Sequence, residues 1–268
     1  MKAVILAGGY ANRLRSVTNN GEVAKTMLPI TVNGEEKPIL FHLMEKIEKM
    51  PNVDEIIIVV NDKYKQQISE AVWFYQPKKQ VSIYSDGSNS PETAKGANAA
   101  IQIANAHIPE HYYGDILVMA SDNYFEFDLM DLYYYFEQLK ADWGDDINLV
   151  VSKKYPNKDR EFIAKNFGIL NIDKDNRILS LDEKPGIENL KSNNVSLALY
   201  MFNRYDLKLI ENYMAEATGK ARDSLGYFIN YIIQNCASFT YPIKGTFLDI
   251  GTPEEYYRLA GVDINTKK

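Results

Sequence analysis

The sequence predicts an α/β fold, a three-layer α/β/α sandwich built around a mixed, mainly parallel sheet, and three observations predict it. The first is the short apolar run Ala3 to Ala7, closed by Gly8-Gly9. A run of this length bounded by glycine reads as a strand buried on both faces, which is how the strands of parallel sheets appear. The second is the alternation of such runs with segments of helical period over about the first 145 residues. Strand and helix in alternation give βαβ units and a sheet covered on both faces. The third is composition: of 268 residues, 46% are hydrophobic and 25% charged, enough apolar material for a sizeable core.

The elements follow in order. Pro38 opens a segment in which Ile39, Leu40, Leu43, Met44 and Ile47 recur at helical spacing, and Ile56 to Val60 is a second buried strand, completing one βαβ unit. A helix near Tyr64 to Tyr75, a strand at Val81 to Ser85, a helix from Thr93 to Ala106 and a strand at Ile116 to Ala120 continue the alternation. Tyr133-Tyr134-Tyr135-Phe136 lies in a Leu-rich helical segment and reads as core and surface aromatics. Beyond about residue 145 strands dominate, at Ile147 to Ser152, Phe167 to Ile172 and Ile178 to Leu181. The last two form a hairpin around Asp173-Lys174-Asp175-Asn176, residues suited to a turn. A strand at Ser196 to Phe202, two helices and a final strand near Thr246 to Ile250 come next. Thr252-Pro253-Glu254-Glu255 then starts the last helix as a capping box with proline at its first position. The expectation is one domain over residues 1–268, in two parts of about 1–145 and about 146–268.

The net charge of −6 argues against nucleic acid as a partner, while small phosphorylated ligands stay open. No signal peptide and no stretch approaching the ~20 apolar residues of a membrane span is present, so no membrane association and a cytoplasmic location are expected. Cys236 is the only cysteine, which excludes an internal disulfide and a cysteine zinc site. It falls in a helical apolar stretch and is expected to be an inert thiol. The histidines His42, His107 and His111 show no catalytic spacing.

The residues that carry chemistry begin at Leu6-Ala7-Gly8-Gly9-Tyr10-Ala11-Asn12-Arg13-Leu14. Glycine after a strand lets backbone N–H groups approach a polyphosphate without a side chain in the way. Arg13 adds a planar, permanently charged fork suited to phosphate oxygens, and Lys25, just before Met27-Leu28-Pro29-Ile30, adds a compact second charge. The loop is neither a Walker A sequence nor G-x-G-x-x-G, which disfavours hydride-transfer dehydrogenases.

This segment resembles the signature of the sugar-1-phosphate nucleotidylyltransferases, L-A-G-G-x-G-T-R-L followed by a lysine shortly before L-P-V or L-P-I. Gly8, Gly9, Arg13, Lys25 and Pro29 match, and Ala11-Asn12 stands where the family has Gly-Thr. The resemblance runs along the rest of the chain in order. Glu92-Thr93-Ala94-Lys95-Gly96-Ala97 is similar to the family's G-T-A-G-A segment, which lies against the nucleobase. Ser121-Asp122-Asn123 resembles its G-D-N, and Phe247-Leu248-Asp249-Ile250-Gly251-Thr252-Pro253 its W-x-D-I-G-T-P. Glu183-Lys184-Pro185 matches E-K-P, Phe167-Gly168 corresponds to Tyr-Gly, and Val195 to Tyr200 aligns with the strand that finishes the sugar pocket, Ala198 or a neighbour replacing its usual glycine.

The resemblance implies a Rossmann-like fold of the nucleotide-diphospho-sugar transferase type. It implies an enzyme that joins a nucleoside triphosphate to a sugar 1-phosphate with release of pyrophosphate. Arg13 and Lys25 would be catalytic. Leu6, Ala7, Gly8, Gly9, Thr93 and Gly96 would bind the nucleotide, and Gly168, Glu183 and Lys184 the sugar phosphate. Asp122 and Asp249 would hold Mg²⁺, because two carboxylates and one such cation neutralise a reacting phosphate. By resemblance alone the substrates would be thymidine or uridine triphosphate and glucose 1-phosphate. A cytidylyltransferase for another phosphorylated alcohol and a catalytically silent nucleotide-sugar-binding regulator are the rival readings. A homo-oligomer is left open, and the chain is expected to be the short form without the appended β-helical domain of some relatives.

Overall fold

The computed structural model describes residues 1–260. Strand β1 (Lys2–Ala7) runs through the sheet and delivers the glycine loop at its C-terminal end. A hairpin of β2 (Pro29–Val32) and β3 (Glu35–Pro38) leads into α1 (Ile39–Glu48), β4 (Glu55–Val60), α2 (Asp62–Tyr75) and β5 (Gln80–Ser85). Next come α3 (Gly96–His107), β6 (Ile116–Ala120), β7 (Asn123–Phe125) and α4 (Leu129–Trp143). The second half adds β8 (Ile147–Lys154), α5 (Arg160–Asn166), β9 (Gly168–Ile172), β10 (Ile178–Glu183) and β11 (Asn194–Phe202). Four helices follow: α6 (Arg204–Leu207), α7 (Leu209–Glu216), α8 (Gly219–Asp223) and α9 (Leu225–Asn235). Strands β12 (Ala237–Pro242) and β13 (Phe247–Asp249) and helix α10 (Pro253–Leu259) come last.

Nine strands form one mixed sheet in the order β10-β9-β11-β6-β1-β4-β5, with β8 paired to β11 and β12 to β8. Strand β1 is parallel to β4 and β6, β4 to β5, and β12 to β8, while β11 is antiparallel to β6, β8 and β9. An irregularity in register between Ser196 and Tyr200 lets β11 serve several neighbours. The alternation of side chains along each strand sorts the apolar residues into two layers. Ala3, Ile5 and Ala7 of β1 and Ile56, Ile58 and Val60 of β4 join one core, and Val4, Leu6, Ile57 and Val59 the other. Each fully buried Val, Leu or Ile side chain among them contributes about 1.5–3 kcal/mol, and the alanines less. A third small cluster of Leu14, Leu28, Ile30, Ile39 and Ile250 ties the loop after β1 to the C-terminal segment.

The capping box at Thr252 and Glu255 forms as the sequence implies, and Asn176, at φ 63, closes the hairpin between β9 and β10. Other expectations are corrected. The helix expected from Thr93 starts at Gly96, because Thr93 ends a short 3-10 turn (Pro91–Thr93) and Gly96 takes a φ of 80. The segment read as two helices is four, broken where Ala217 and Ser224 turn extended and Gly219 adopts a φ of 55. Strand β12 was not anticipated, and the final strand pairs with β7 outside the main sheet. Cys236 lies just past the end of α9 in extended conformation rather than within the helix. Burial, with Asp206 beside it, pushes its thiol up to about 12, so it stays protonated and unreactive at neutral pH. Among the described residues no helix is long and apolar enough to cross a membrane.

Candidate active site

Ligands of open α/β sheets bind beyond the C-terminal ends of the strands, and two adjoining cavities lie there. The first, about 340 Å³, is lined by Leu6, Ala7, Gly8 and Gly9 from β1 and its loop, by Lys25, Ser121 and Asp122, and by Gly96 of α3. The loop is held from behind: Asn61, capping α2 through its Oδ1, donates its Nδ2 to the Gly8 carbonyl at 3.1 Å. Tyr10 donates its hydroxyl to Ser88 Oγ at 2.8 Å, and Ser88 donates its own to Asp86 Oδ1 at 2.6 Å.

Ala11 sits in the left-handed region at φ 52, ψ 35, a conformation glycine adopts freely and alanine does not. The family's glycine at this position therefore has a conformational reason. Ala11→Gly is expected to keep the fold and to change stability by no more than about 1 kcal/mol, relief of strain offsetting the greater chain entropy. A loss well above that in urea unfolding would contradict the strain argument.

Where the first cavity meets the second, Lys25 Nζ lies 2.5 Å from Asp122 Oδ2. Asp122 follows β6 directly, and Ser121 N–H donates to the Leu6 carbonyl at 3.1 Å, which ties this turn to β1. The small β7–β13 ladder sets Asn123 opposite Asp249, and Ile250 N–H donates to the Asp122 carbonyl at 3.0 Å. Two carboxylates far apart in sequence are thereby brought side by side. Burial, and then the negative charge of Asp122, raise the Asp249 carboxyl to about 6, while Lys25 and Arg13 pull it down. Asp249 is thus a half-buried acid short of positive charge.

The second cavity, about 180 Å³, is lined by Gly168, Glu183, Lys184, Ser224, Gly226 and Asp249, among others. Glu183 is fixed from three sides. Ser224 Oγ donates to its Oε1 at 2.9 Å, and a Cβ on Gly168 or Gly226 would fall within 3.0 Å of its carboxyl group. Lys184 has a φ of 47, held by its N–H bond to the Phe167 carbonyl at 3.1 Å, and its ammonium is largely exposed.

Of the residues singled out from the sequence, Leu6, Ala7, Gly8, Gly9, Gly96, Lys25 and Asp122 line the first cavity, and Gly168, Glu183, Lys184 and Asp249 the second. Arg13 lines neither: its guanidinium lies over Gly251, where a Cβ would come within 3.3 Å of Nη2. Thr93 spends its hydroxyl on the turn, where Ser90 N–H donates to it at 3.2 Å, while its neighbours Pro91 and Ala94 face the cavity. Sequence reasoning missed Asp86, Asp223, Leu225 and Gly226. Helix α8 and the start of α9 form a strap over the N-terminus of α3, where Asn98 Nδ2 reaches the carbonyls of Ala221, Arg222 and Ser224 at 3.2, 3.2 and 3.1 Å. Nothing in the period of that segment marks it as cavity wall.

A glycine-floored cleft beside an ammonium–carboxylate pair, at the strand ends of a mixed α/β sheet, suits a phosphorylated ligand such as a nucleotide. The chain belongs to the nucleotidyl transferase family, whose model matches residues 2–265. It is 29% identical over 257 residues to the bifunctional protein GlmU of Methanococcus vannielii, covering 94% of this chain and 52% of that protein. To the glucose-1-phosphate adenylyltransferase of Clostridium novyi it is 26% identical, over 98% of this chain and 66% of the other. The chain thus spans about half the length of the GlmU relatives it matches. The fold is shared with UDP-glucose pyrophosphorylase in complex with UDP-glucose, at a TM-score of 0.77 and 17% identity over 97% of each chain.

Proposed function

We propose that this chain transfers a nucleotidyl group from a nucleoside triphosphate to a sugar 1-phosphate, giving a nucleoside diphosphate sugar and pyrophosphate. The observation that carries the reading is the pair of cavities that share Leu225, the first lined by Lys25 and Asp122 and the second by Asp249, whose carboxyl feels both of their charges. Such an arrangement suits two anionic ligands that must be held together. An oxygen of the sugar phosphate would attack the α-phosphorus, and the bond to the β-phosphate would break with pyrophosphate leaving. The attacking oxygen is already anionic, so neither a protein nucleophile nor a general base is required. Lys25 would meet the charge that develops on the α-phosphate, Arg13 would approach the triphosphate from the Gly251 side, and Lys184 would attract the sugar phosphate. Glu183, held by Ser224, would accept hydrogen bonds from sugar hydroxyls. The relatives named for glucose-1-phosphate adenylyltransferase and UDP-glucose pyrophosphorylase support this choice of substrates.

The donor set fits Mg²⁺. Among the described residues no group of three metal-binding side chains occurs, but Mg²⁺ commonly takes one or two carboxylates and completes its shell with phosphate and water. Asp122 and Asp249 would hold it, and it would supply charge neutralisation at the phosphates. A screen of pyrophosphate release, with all common triphosphates against a panel of sugar 1-phosphates in Mg²⁺, tests the reading. Release that requires both substrates is expected; silence with every pair would sink it.

The raised carboxyl of Asp249 gives a pH signature. Its folded value of about 6 lies above the ordinary 3.8, so the folded chain binds more protons than the unfolded one between these values. The stabilisation from protonated Asp249 is present below the unfolded value and is lost as pH rises through about 6. Asp249→Asn is therefore expected to raise the melting temperature at pH 7–8 in the absence of divalent metal. Millimolar Mg²⁺ should stabilise the wild type above pH 6 but not the variant; equal Mg²⁺ stabilisation of both would remove Asp249 from the metal site.

A further inference from the structure

The first cavity carries a carboxylate that the transfer reaction leaves unused. Asp86 follows β5, is 5% exposed, and lines the cavity beside the glycine loop, where a Cβ on Gly8 would lie 3.4 Å from its Oδ2. Its Oδ1 accepts from the Ser88 N–H at 2.8 Å and from the Ser88 hydroxyl at 2.6 Å. With the Tyr10 hydroxyl donating to Ser88 at 2.8 Å, the carboxylate is fixed in rotation. Oδ2, among the described residues, receives no hydrogen bond. A second carboxylate, Asp223 of the α8 strap, lines the same cavity and abuts Gly96. Pro91, Ala94, Ala97, Ala100 and Leu225 supply apolar walls. The one cationic side chain of the lining, Lys25, is already paired with Asp122.

We propose that this pocket selects a nucleoside triphosphate whose base carries an exocyclic amino group, and that Asp86 Oδ2 is the acceptor that reads it. The inference rests on the nucleotidyl-transfer reading above and deepens it by naming the nucleotide class. A buried carboxylate with an open oxygen can only accept, so it rewards a base that presents N–H groups and rejects one that presents carbonyls. Adenine and cytosine offer an amino group, and guanine offers an amino group beside a ring N–H. Uracil and thymine offer one ring N–H flanked on both sides by carbonyl oxygens, whose lone pairs would face the carboxylate. A buried acceptor left without its donor discriminates strongly between analogues. The choice runs against the thymidine or uridine triphosphate that resemblance alone suggests.

The test is equilibrium binding of ATP, GTP, CTP, UTP and dTTP to the full chain without sugar phosphate, by calorimetry, repeated with Asp86→Asn. At least one amino-bearing triphosphate is expected to bind about tenfold or more tighter than both UTP and dTTP. The analogue of that nucleotide lacking the amino group should lose about the same factor. Asp86→Asn, whose amide can donate to a carbonyl, should narrow the gap or reverse it. The wild-type ranking and the deamino analogue decide the matter even if the variant fails to fold. UTP or dTTP binding as tightly as the best amino-bearing triphosphate would overturn the inference and leave the transfer reading standing. An unchanged ranking in a folded Asp86→Asn would remove Asp86 as the reader. Binding of no triphosphate at all would overturn both.

Discussion

Lys25→Ala is expected to lower the turnover of pyrophosphate formation by about 10²–10³-fold, the usual consequence of removing one preorganised charge from a group that stabilises a transition state. The side chain is placed for that role. Its Nζ is 2.5 Å from Asp122 Oδ2, and the lysine side chain is only 14% exposed, so the ammonium is held by geometry rather than by chance. The fold should survive, because Asp122 remains 30% exposed and can be solvated once its partner is gone. A partly exposed pair of this kind contributes about 1 kcal/mol or less to stability. Turnover and melting temperature measured together check the claim. Near-normal turnover in a folded variant would remove Lys25 from the reaction, and a collapse of the melting temperature would make its role structural.

Gly96→Ala should produce the larger loss of stability, roughly 2–5 kcal/mol, read as a fall in the urea midpoint. Two costs add. The residue has a φ of 80, which costs a residue with a Cβ about 1–2 kcal/mol. The new methyl group would also meet the Asp223 carboxylate and come within 2.9 Å of its Cα, which is backbone and cannot swing aside. Overpacking of this sort costs about 1–3 kcal/mol more. The strap would have to lift from α3 and strain the bonds that Asn98 makes to it, so triphosphate affinity should fall along with stability. An unchanged midpoint would mean that the strap gives way freely.

The strands of the first half were legible because burial on both faces turns them into unbroken apolar runs, as in Ile56 to Val60. The helix of α1 was legible from its period, and α10 from its capping box. The division of the segment after β11 into four helices was not, since α6 and α8 are too brief to show a period and the breaks at Ala217, Gly219 and Ser224 are matters of backbone angle. The same limit hid part of the site. The glycine loop, Lys25 and the two aspartates stand in short motifs whose chemistry can be read in line. Asp223 and Gly226 belong to the cavities only because Asn98 draws the strap over α3. Asp86 stands in none of the motifs read from the sequence, and only its burial beside Gly8 brings it into the cavity.

The strap has one more consequence. Asp223 faces the first cavity, Leu225 lines both, and Ser224, lying between them, grips Glu183 in the second. Adjacent residues of a single short segment cannot be repositioned independently. A ligand that shifts Asp223 in the first cavity would be expected to change how firmly Ser224 holds Glu183 in the second. If the proposed substrates are coupled in this way, thermodynamic reciprocity makes each change the affinity for the other by the same factor. Under the proposed function, the two cavities would then be coupled through this one segment.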